Sequence, residues 1–280
     1  ANELAHANTV LLPTTMGAVA VTEQAIINEA HSLGMIVPDR RRRGEGERSE
    51  FGAPGAYVAN PKVGLHEYVG AIDIKSLYPS AIRALNMSPE TIMGQVRLEY
   101  TNAQVEKYIN EQMAATRKIK GKIQTDDDLK KARAKHFAGA WENMFGSTEY
   151  TAIMDQTQLK LTVDWVDGTS INYTAAELYD ILFASNLIMS ANATIFRCDK
   201  VGIIPGLLAR WYREREELQA KMAAATTPEE REFWDKRQLV KKINLNSLYG
   251  AILNEGCRFN DIRIGQSTTL SGRVIARHMD

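Results

Sequence analysis

Between Pro205 and Tyr249 the side-chain pattern leaves one arrangement open. Leu207, Leu208, Trp211, Tyr212, Arg215, Leu218, Gln219 and Met222 recur at steps of three and four, the period of one helix face. Thr226-Thr227-Pro228-Glu229-Glu230 then stops that helix and starts another. Thr227 is expected to cap, Pro228 to take the first helical position, where its missing N–H costs nothing, and Glu230 to complete a capping box. The second helix should run to about Tyr249. Two long helices joined by so short a turn must be antiparallel neighbours, so a helical hairpin is expected over 205–250.

The rest of the chain reads as mixed. Residues 19–34 suggest a helix with Thr22 as a candidate N-cap and Gly34 at its end. Pro38 to Gly55 is rich in Arg, Gly and Glu and reads as an exposed loop. Residues 56–60 and 68–74 are β-rich, the latter ending in Val69-Gly70-Ala71-Ile72-Asp73-Ile74, expected as a buried strand opening onto a loop. A short helix should begin at Ser80 and reach Asn86. Thr125 to Asp128 has capping-box spacing ahead of a helix over Leu129 to Phe145. Residues 159–166 read as a strand, Asp167-Gly168 as a turn and 170–173 as the returning strand. Thr174 to Met189 reads as helix, 193–197 as strand, and Asp199 to Gly202 as a turn back into Ile203 and Ile204. The expected class is α+β and helix-rich.

Composition narrows the function classes. With 280 residues, 44% apolar and 24% charged, the chain can bury a real core as one large domain or two small ones. No apolar run approaches the roughly 18 residues of a membrane span; even Met16 to Ile27 is broken by Thr22, Glu23 and Gln24. Cys198 and Cys257 stand far apart, and the five histidines are scattered, so neither a disulfide framework nor a zinc site is expected. A reducing cytoplasm is the default compartment. Formal net charge is zero, which gives no bulk argument for nucleic acid. Local basic clusters at Arg40 to Arg43 and at Lys236, Arg237, Lys241 and Lys242 are by default solvated faces. The chain opens on Ala1, with neither a starting Met nor a signal-peptide pattern, as a processed or excised piece would.

Two constellations carry chemistry. In Asp73-Ile74-Lys75-Ser76-Leu77-Tyr78-Pro79-Ser80 a carboxylate is followed by a turn with free amides, an aromatic ring and a proline. A carboxylate there can hold Mg²⁺ together with phosphate oxygens, and turn N–H groups can take phosphate oxygens; alone, Asp73 would read as a turn cap. In Lys242-Ile243-Asn244-Leu245-Asn246-Ser247-Leu248-Tyr249-Gly250, Lys242, Asn246 and Tyr249 fall at i, i+4 and i+7 on one helix face. A cation, an amide and an aromatic suit a phosphate, a sugar or base edge, and a base face.

In this order the two strings resemble motifs A and B of the family B DNA polymerases. Asn86-Met87-Ser88-Pro89-Glu90-Thr91, Pro54-Gly55-Ala56-Tyr57-Val58 and the run Arg258 to Arg263 extend the likeness, particularly to the replicative enzymes of T-even-type phages. The resemblance covers about 14–96 and 193–280 and is weak over 97–192. It implies a partial palm, a β-sheet with helices, plus antiparallel two-helix fingers. Residues 1–60 would lead into the palm, 61–96 form its first part, 97–204 an insertion or connection, 205–250 the fingers and 251–280 the palm's continuation. It implies that Asp73 is catalytic and, with the Ile74 carbonyl, a ligand to two Mg²⁺ ions. Amides at Ser76, Leu77 and Tyr78 would hold the triphosphate, with Tyr78 excluding a ribose 2′-hydroxyl. Arg215, Lys242 and Asn246 would touch the triphosphate and Tyr249 the nascent base pair, while Gly55, Ala56, Tyr249 and Gly250 would meet DNA. Implied partners are primer-template DNA and deoxynucleoside triphosphates, with no membrane, in the cytoplasm of an infected host cell if the source is a phage.

The chain departs from the pattern in one decisive respect. The second carboxylate motif, Y-G-D-T-D-S, does not occur before Asp280. A fragment, or one subunit of a split polymerase, is therefore expected, with a second polypeptide carrying that motif and the thumb. The rival is a non-catalytic DNA-binding or assembly subunit; an RNA-synthesising enzyme is disfavoured by Tyr78. Gln219 stands where the family often has lysine, which Lys221 could replace, and Ala53 stands where an aromatic is expected before Pro54. Trp141, Tyr150 and Trp165 are expected in the core.

Overall fold

The computed structural model describes residues 1–39, 55–59, 61–97 and 160–279. Its helices are α1 (Asn2–Asn8), α2 (Ala18–Ser32), α3 (Leu77–Ala84), α4 (Ala175–Ala184), α5 (Ile203–Ala224), α6 (Pro228–Ile252) and α7 (Ile262–Met279), with 3₁₀ turns at Leu12–Met16 and Pro89–Thr91. Strands β1 (Ile92–Arg97), β2 (Lys160–Trp165), β3 (Ser170–Thr174), β4 (Leu187–Met189) and β5 (Thr194–Arg197) form one antiparallel sheet in the order β3-β2-β1-β5-β4. The class is α+β, as expected.

The hairpin of α5 and α6 forms where the sequence puts it. Thr227 Oγ1 accepts the Glu230 N–H at 3.2 Å, as expected of the cap. The Glu230 carboxylate, however, takes the Thr226 N–H at 3.2 Å, one residue before the cap, so the expected capping box does not close on Thr227. Burial is concentrated at the base of the hairpin, with Ile203, Ile204, Leu207, Leu208 and Trp211 on α5 and Leu245, Leu248 and Ile252 on α6, and reaches outward along α6 to Val240 and Gln238. Further out, ion pairs replace core packing, with Lys241 at 2.6 Å from Glu214 and Lys236 at 2.6 Å from Glu232. The hairpin thus grows out of the core and ends in water.

Two apolar clusters meet across the sheet. Phe196 of β5 faces the larger one with Ile26 of α2, Ile82 of α3, Leu207 of α5 and Leu248 of α6. Its neighbour Ile195 faces the smaller one with Val96, Leu161, Val163 and Leu178 of α4. This is strand alternation at work: one residue of displacement moves a side chain to the opposite face. Trp165 packs against the smaller cluster, in accord with the expectation of core. Trp141, Tyr150, the helix expected at 129–145 and the cluster Arg40 to Arg43 lie outside the described residues, as does most of the loop expected over 38–55.

Polar contacts fix the helices to one another. Asn8 of α1 and Asn244 of α6, both buried, exchange side-chain amide hydrogen bonds at 3.3 and 3.0 Å. The buried Glu23 of α2 accepts from the Arg258 backbone N–H at 3.1 Å and from its Nε at 3.2 Å. Asn86, with φ of 51°, donates to the carbonyls of Arg197 and Lys200 and accepts the Gly202 N–H at 2.9 Å. Glu90 Oε1 then takes the Ile203 N–H at 2.6 Å. The Asn86–Thr91 stretch therefore ties the end of α3 to the start of α5, supplying acceptors that α5 lacks of its own.

Several expectations require correction. Residues 68–74 form no strand, and Val69 and Ile72 are 77% and 81% exposed. A strand exists only beside a neighbour that takes its backbone groups, and no described strand lies beside this segment. Residues 55–59 form no strand either. Helix α2 begins at Ala18 rather than at a Thr22 cap; Thr22 is 3% exposed, within a buried face of Val21, Ala25, Ile26 and Ala30. Gly34, with φ of +67°, does follow the helix end. The helix after the aspartate motif starts three residues early, at Leu77, and ends at Ala84. The one expected over 174–189 stops at Ala184, because Leu187–Met189 pairs with β5 instead. The second hairpin helix runs on to Ile252. The segment read as a connection, 97–204, supplies most of the sheet.

Candidate functional site

Ser76 caps α3 from the left-handed region, with φ of 57°, and its carbonyl accepts the Ser80 N–H at 2.9 Å. That sharp entry leaves the amides of Leu77 and Tyr78, as first-turn residues, without intrahelical acceptors. Pro79 sits in the same turn, where it removes no helical bond. Asp73 precedes the turn in an exposed position, and Ile74 is half-buried.

Helix α3 packs against α5, α6 and α7. On the α5 side the Lys75 ammonium lies 5.0 Å from the Tyr212 ring centroid and 3.7 Å from a Glu216 oxygen. Its hydrogen bond with Tyr212 raises the lysine's pKa. Arg83 lies 5.0 Å from the centroid of the same ring.

Helix α6 presents Lys242 and Asn246 exposed and Tyr249 half-buried, on the face the spacing required. Among the described residues neither Lys242 nor Asn246 has an ion-pair or hydrogen-bond partner, whereas Lys236, Arg237 and Lys241 pair with Glu232, Glu3 and Glu214. Three of the four cluster cations are thus paired, and Lys242 is the one without a partner among the described residues. Arg215 of α5 donates from Nε to Gln238 Oε1 at 3.2 Å, and Gln238 is one turn before Lys242. The two cations therefore share a side of the hairpin. Lys221 lies over the Trp234 ring near the tip, 5.0 Å from its centroid.

The two motifs meet through their tyrosines. The Tyr78 and Tyr249 rings lie 4.7 Å apart between centroids at 52°. Burial pushes both phenols above the usual tyrosine range. Helix α7 forms the floor: Thr269 hydrogen-bonds the Tyr249 hydroxyl, and Gly272 lies against the Tyr78 ring. One residue on, Arg273 donates to the Gly55 carbonyl at 3.0 Å, and Arg277 sits 4.9 Å from the Tyr57 centroid. Burial lowers the Arg273 pKa. Gly55 and Ala56 are exposed beside this edge, and Gly250 faces open space. The site thus joins Tyr78 to Tyr249, and Arg215 to the Lys242 stripe.

Sequence reasoning missed the floor and the tether. Thr269, Gly272 and Arg273 lie in a helix of which the sequence showed the Ser/Thr-rich start after Arg263, and whose role was signalled only by its interior glycines, poor helix formers that often mark close approach. Lys75 stood inside the aspartate motif, but its partner Tyr212 read only as part of a helical face.

The residues do not make a metal site by themselves. Among the described residues no three His, Cys, Asp or Glu side chains gather to hold an ion. Asp73 and the Ile74 carbonyl are too few donors for two divalent cations.

A family model described as DNA polymerase family B matches residues 11–133 and 162–280. The DNA-directed DNA polymerase of Enterobacteria phage T4 is 26% identical over 266 residues, covering 92% of this chain and 26% of that protein. That of Escherichia phage RB69 is 45% identical over 58 residues, 19% of this chain and 6% of that one. A solved family B DNA polymerase from Pyrobaculum calidifontis matches the fold with a TM-score of 0.55 and 17% identity, over 99% of this chain and 25% of that one. The chain spans about a quarter of the length of the T4 and ascovirus relatives it matches. Among the described residues no helix is long and apolar enough to cross a membrane.

Proposed function

The chain belongs to DNA polymerase family B, and from that premise we propose that it is the nucleotide-binding part of an enzyme of template-directed DNA synthesis. The observation that carries the reading is the contact between Tyr78 and Tyr249, which brings the aspartate motif and the hairpin motif to one place. Helix α3 and the sheet are read as palm, and α5 with α6 as fingers.

In this reading Lys242 and Arg215 neutralise the triphosphate, and the amides of Ser76, Leu77 and Tyr78 orient it. Asn246 hydrogen-bonds the nucleotide, and Tyr249 packs against the new base pair. Tyr78 occupies the space a 2′-hydroxyl would need. Gly55, Ala56 and Gly250 lie along the path of the DNA. Base identity comes from template pairing, so these residues need only hold shape and charge. Lys242 is suited to the task because, exposed and without a partner among the described residues, it has no ion pair there to give up.

Asp73 supplies one carboxylate of the pair of metal ions that the family's chemistry implies. The remaining ligands come from a further polypeptide segment, which also covers the exposed stretch Val69 to Ile72. That segment is read as carrying the second carboxylate motif.

The test is primer extension with deoxynucleotides and Mg²⁺, by the chain alone and with a polypeptide bearing the missing motif. Synthesis on complementation, lost with Asp73→Ala, is the expected result. No synthesis by associated pieces would favour a DNA-binding or assembly role instead, since one isolated carboxylate suits a module that has lost its chemistry.

A further inference from the structure

A glycine inside a long helix weakens it unless something else needs the space. In α7, a Cβ built on Gly272 would lie 2.8 Å from Tyr78 Cε1 and 3.2 Å from Cδ1. The first distance is one that real Cβ atoms essentially never show. Tyr249, itself hydrogen-bonded by Thr269, also packs on the ring, 4.7 Å away between centroids. The backbone of Tyr78 is fixed by the left-handed Ser76 turn and by the buried Pro79 and Ala81 that follow. Gly250, the other glycine beside these rings, meets nothing within 4 Å, so of the two only Gly272 is closely packed.

We propose that Gly272 is a positioning residue for the Tyr78 ring and thereby sets the site's discrimination between deoxyribose and ribose. This rests on the nucleotide-binding reading above. The bare Cα of Gly272 lets the ring lie back against α7, leaving a deoxyribose room and a 2′-hydroxyl none. Any side chain there drives the ring off α7 into the sugar's space. A deoxynucleotide then loses most of its advantage, while a ribonucleotide, already excluded, loses little.

The experiment is a double-mutant cycle of Gly272→Ala and Tyr78→Val in the full chain, read in two ways. In urea unfolding, Gly272→Ala shifts the unfolding equilibrium constant about tenfold toward the unfolded state, the scale of one overpacked methyl. In the Tyr78→Val background it becomes neutral or stabilising, because alanine is the better helix former once the ring is gone. The second readout is relative binding of dATP and ATP on primer-template DNA, with the complementing polypeptide present. Gly272→Ala lowers the deoxy-to-ribo ratio about tenfold, and adds nothing once Tyr78 is valine. An equal cost in both backgrounds overturns the proposal, since it marks damage to α7 unrelated to the ring. A coupled unfolding effect with an unchanged sugar ratio overturns the specificity role. If Tyr78→Val itself leaves the ratio unchanged, the nucleotide reading fails and takes the sugar consequence with it, while the unfolding cycle still decides the packing.

Discussion

Lys242, Asn246 and Tyr249 ride on a 25-residue helix with a side-chain cap at one end and Leu248 and Ile252 locked in the core at the other. Asp73 ends a run from Pro61 in which no strand or helix forms and Val63, Leu65, Tyr68, Val69 and Ile72 stand in solvent. Both stretches carry a family motif, and both the helix and the 68–74 end of the run read from sequence as regular structure. They differ in where their backbone hydrogen bonds close. A helix closes them within four residues of itself, whereas a strand borrows every one from a neighbour. Motif B is therefore self-supporting here, whereas the approach to motif A has no strand beside it among the described residues.

The strongest way to break this comparison is to remove the support beneath motif B. Leu248→Ala should cost about 3 kcal/mol in urea unfolding, because a fully buried leucine leaves a cavity; a loss under about 1 kcal/mol would mean the helix does not depend on the core. Glu23→Ala should cost about 2 kcal/mol by stranding Arg258, whose backbone and guanidinium it holds. Thr227→Ala should cost about 1 kcal/mol through the lost cap, with helical circular dichroism falling in step. Lys242→Ala should weaken triphosphate binding about tenfold yet leave the unfolding midpoint alone, since the exposed ammonium has no partner among the described residues. Ile72→Ser should change stability by less than about 0.5 kcal/mol. Its amide and those of residues 63–74 should exchange with solvent as freely as an unfolded chain, while those of 240–252 are protected. Protection of 63–74 on adding the complementing polypeptide would sharpen the contrast, by showing that the strand forms when its neighbour arrives.

Legibility followed the same line within the folded core. The turn at Asp167-Gly168 and the strands on either side were readable because a hairpin pairs with itself nearby. Residues 187–189 were misread as helix because pairing with β5 decides their state, and their own sequence continues the apolar pattern of α4. Thr22 was misread as a cap because buried neighbours on one face of α2 outweigh a local preference. In the site, the stripe of Lys242, Asn246 and Tyr249 could be read as a face. That Lys242 alone of its basic cluster would have no partner among the described residues could not, since Glu3, Glu214 and Glu232 claim the others.

The sequence by itself determined the helical hairpin, its cap, the order of the two motifs and the chemical character of each candidate residue. All of these depend on neighbours a few positions away. The tertiary structure decided that Tyr78 meets Tyr249, that Thr269 and Gly272 of α7 form the floor beneath them, and that Asn86 and Glu90 tie α3 to α5. It also decided that Val69 to Ile72 lies open. Those outcomes turn on which distant surfaces reach one another, and hydrogen bonds and ring contacts between remote residues leave no periodic trace in either partner's own segment.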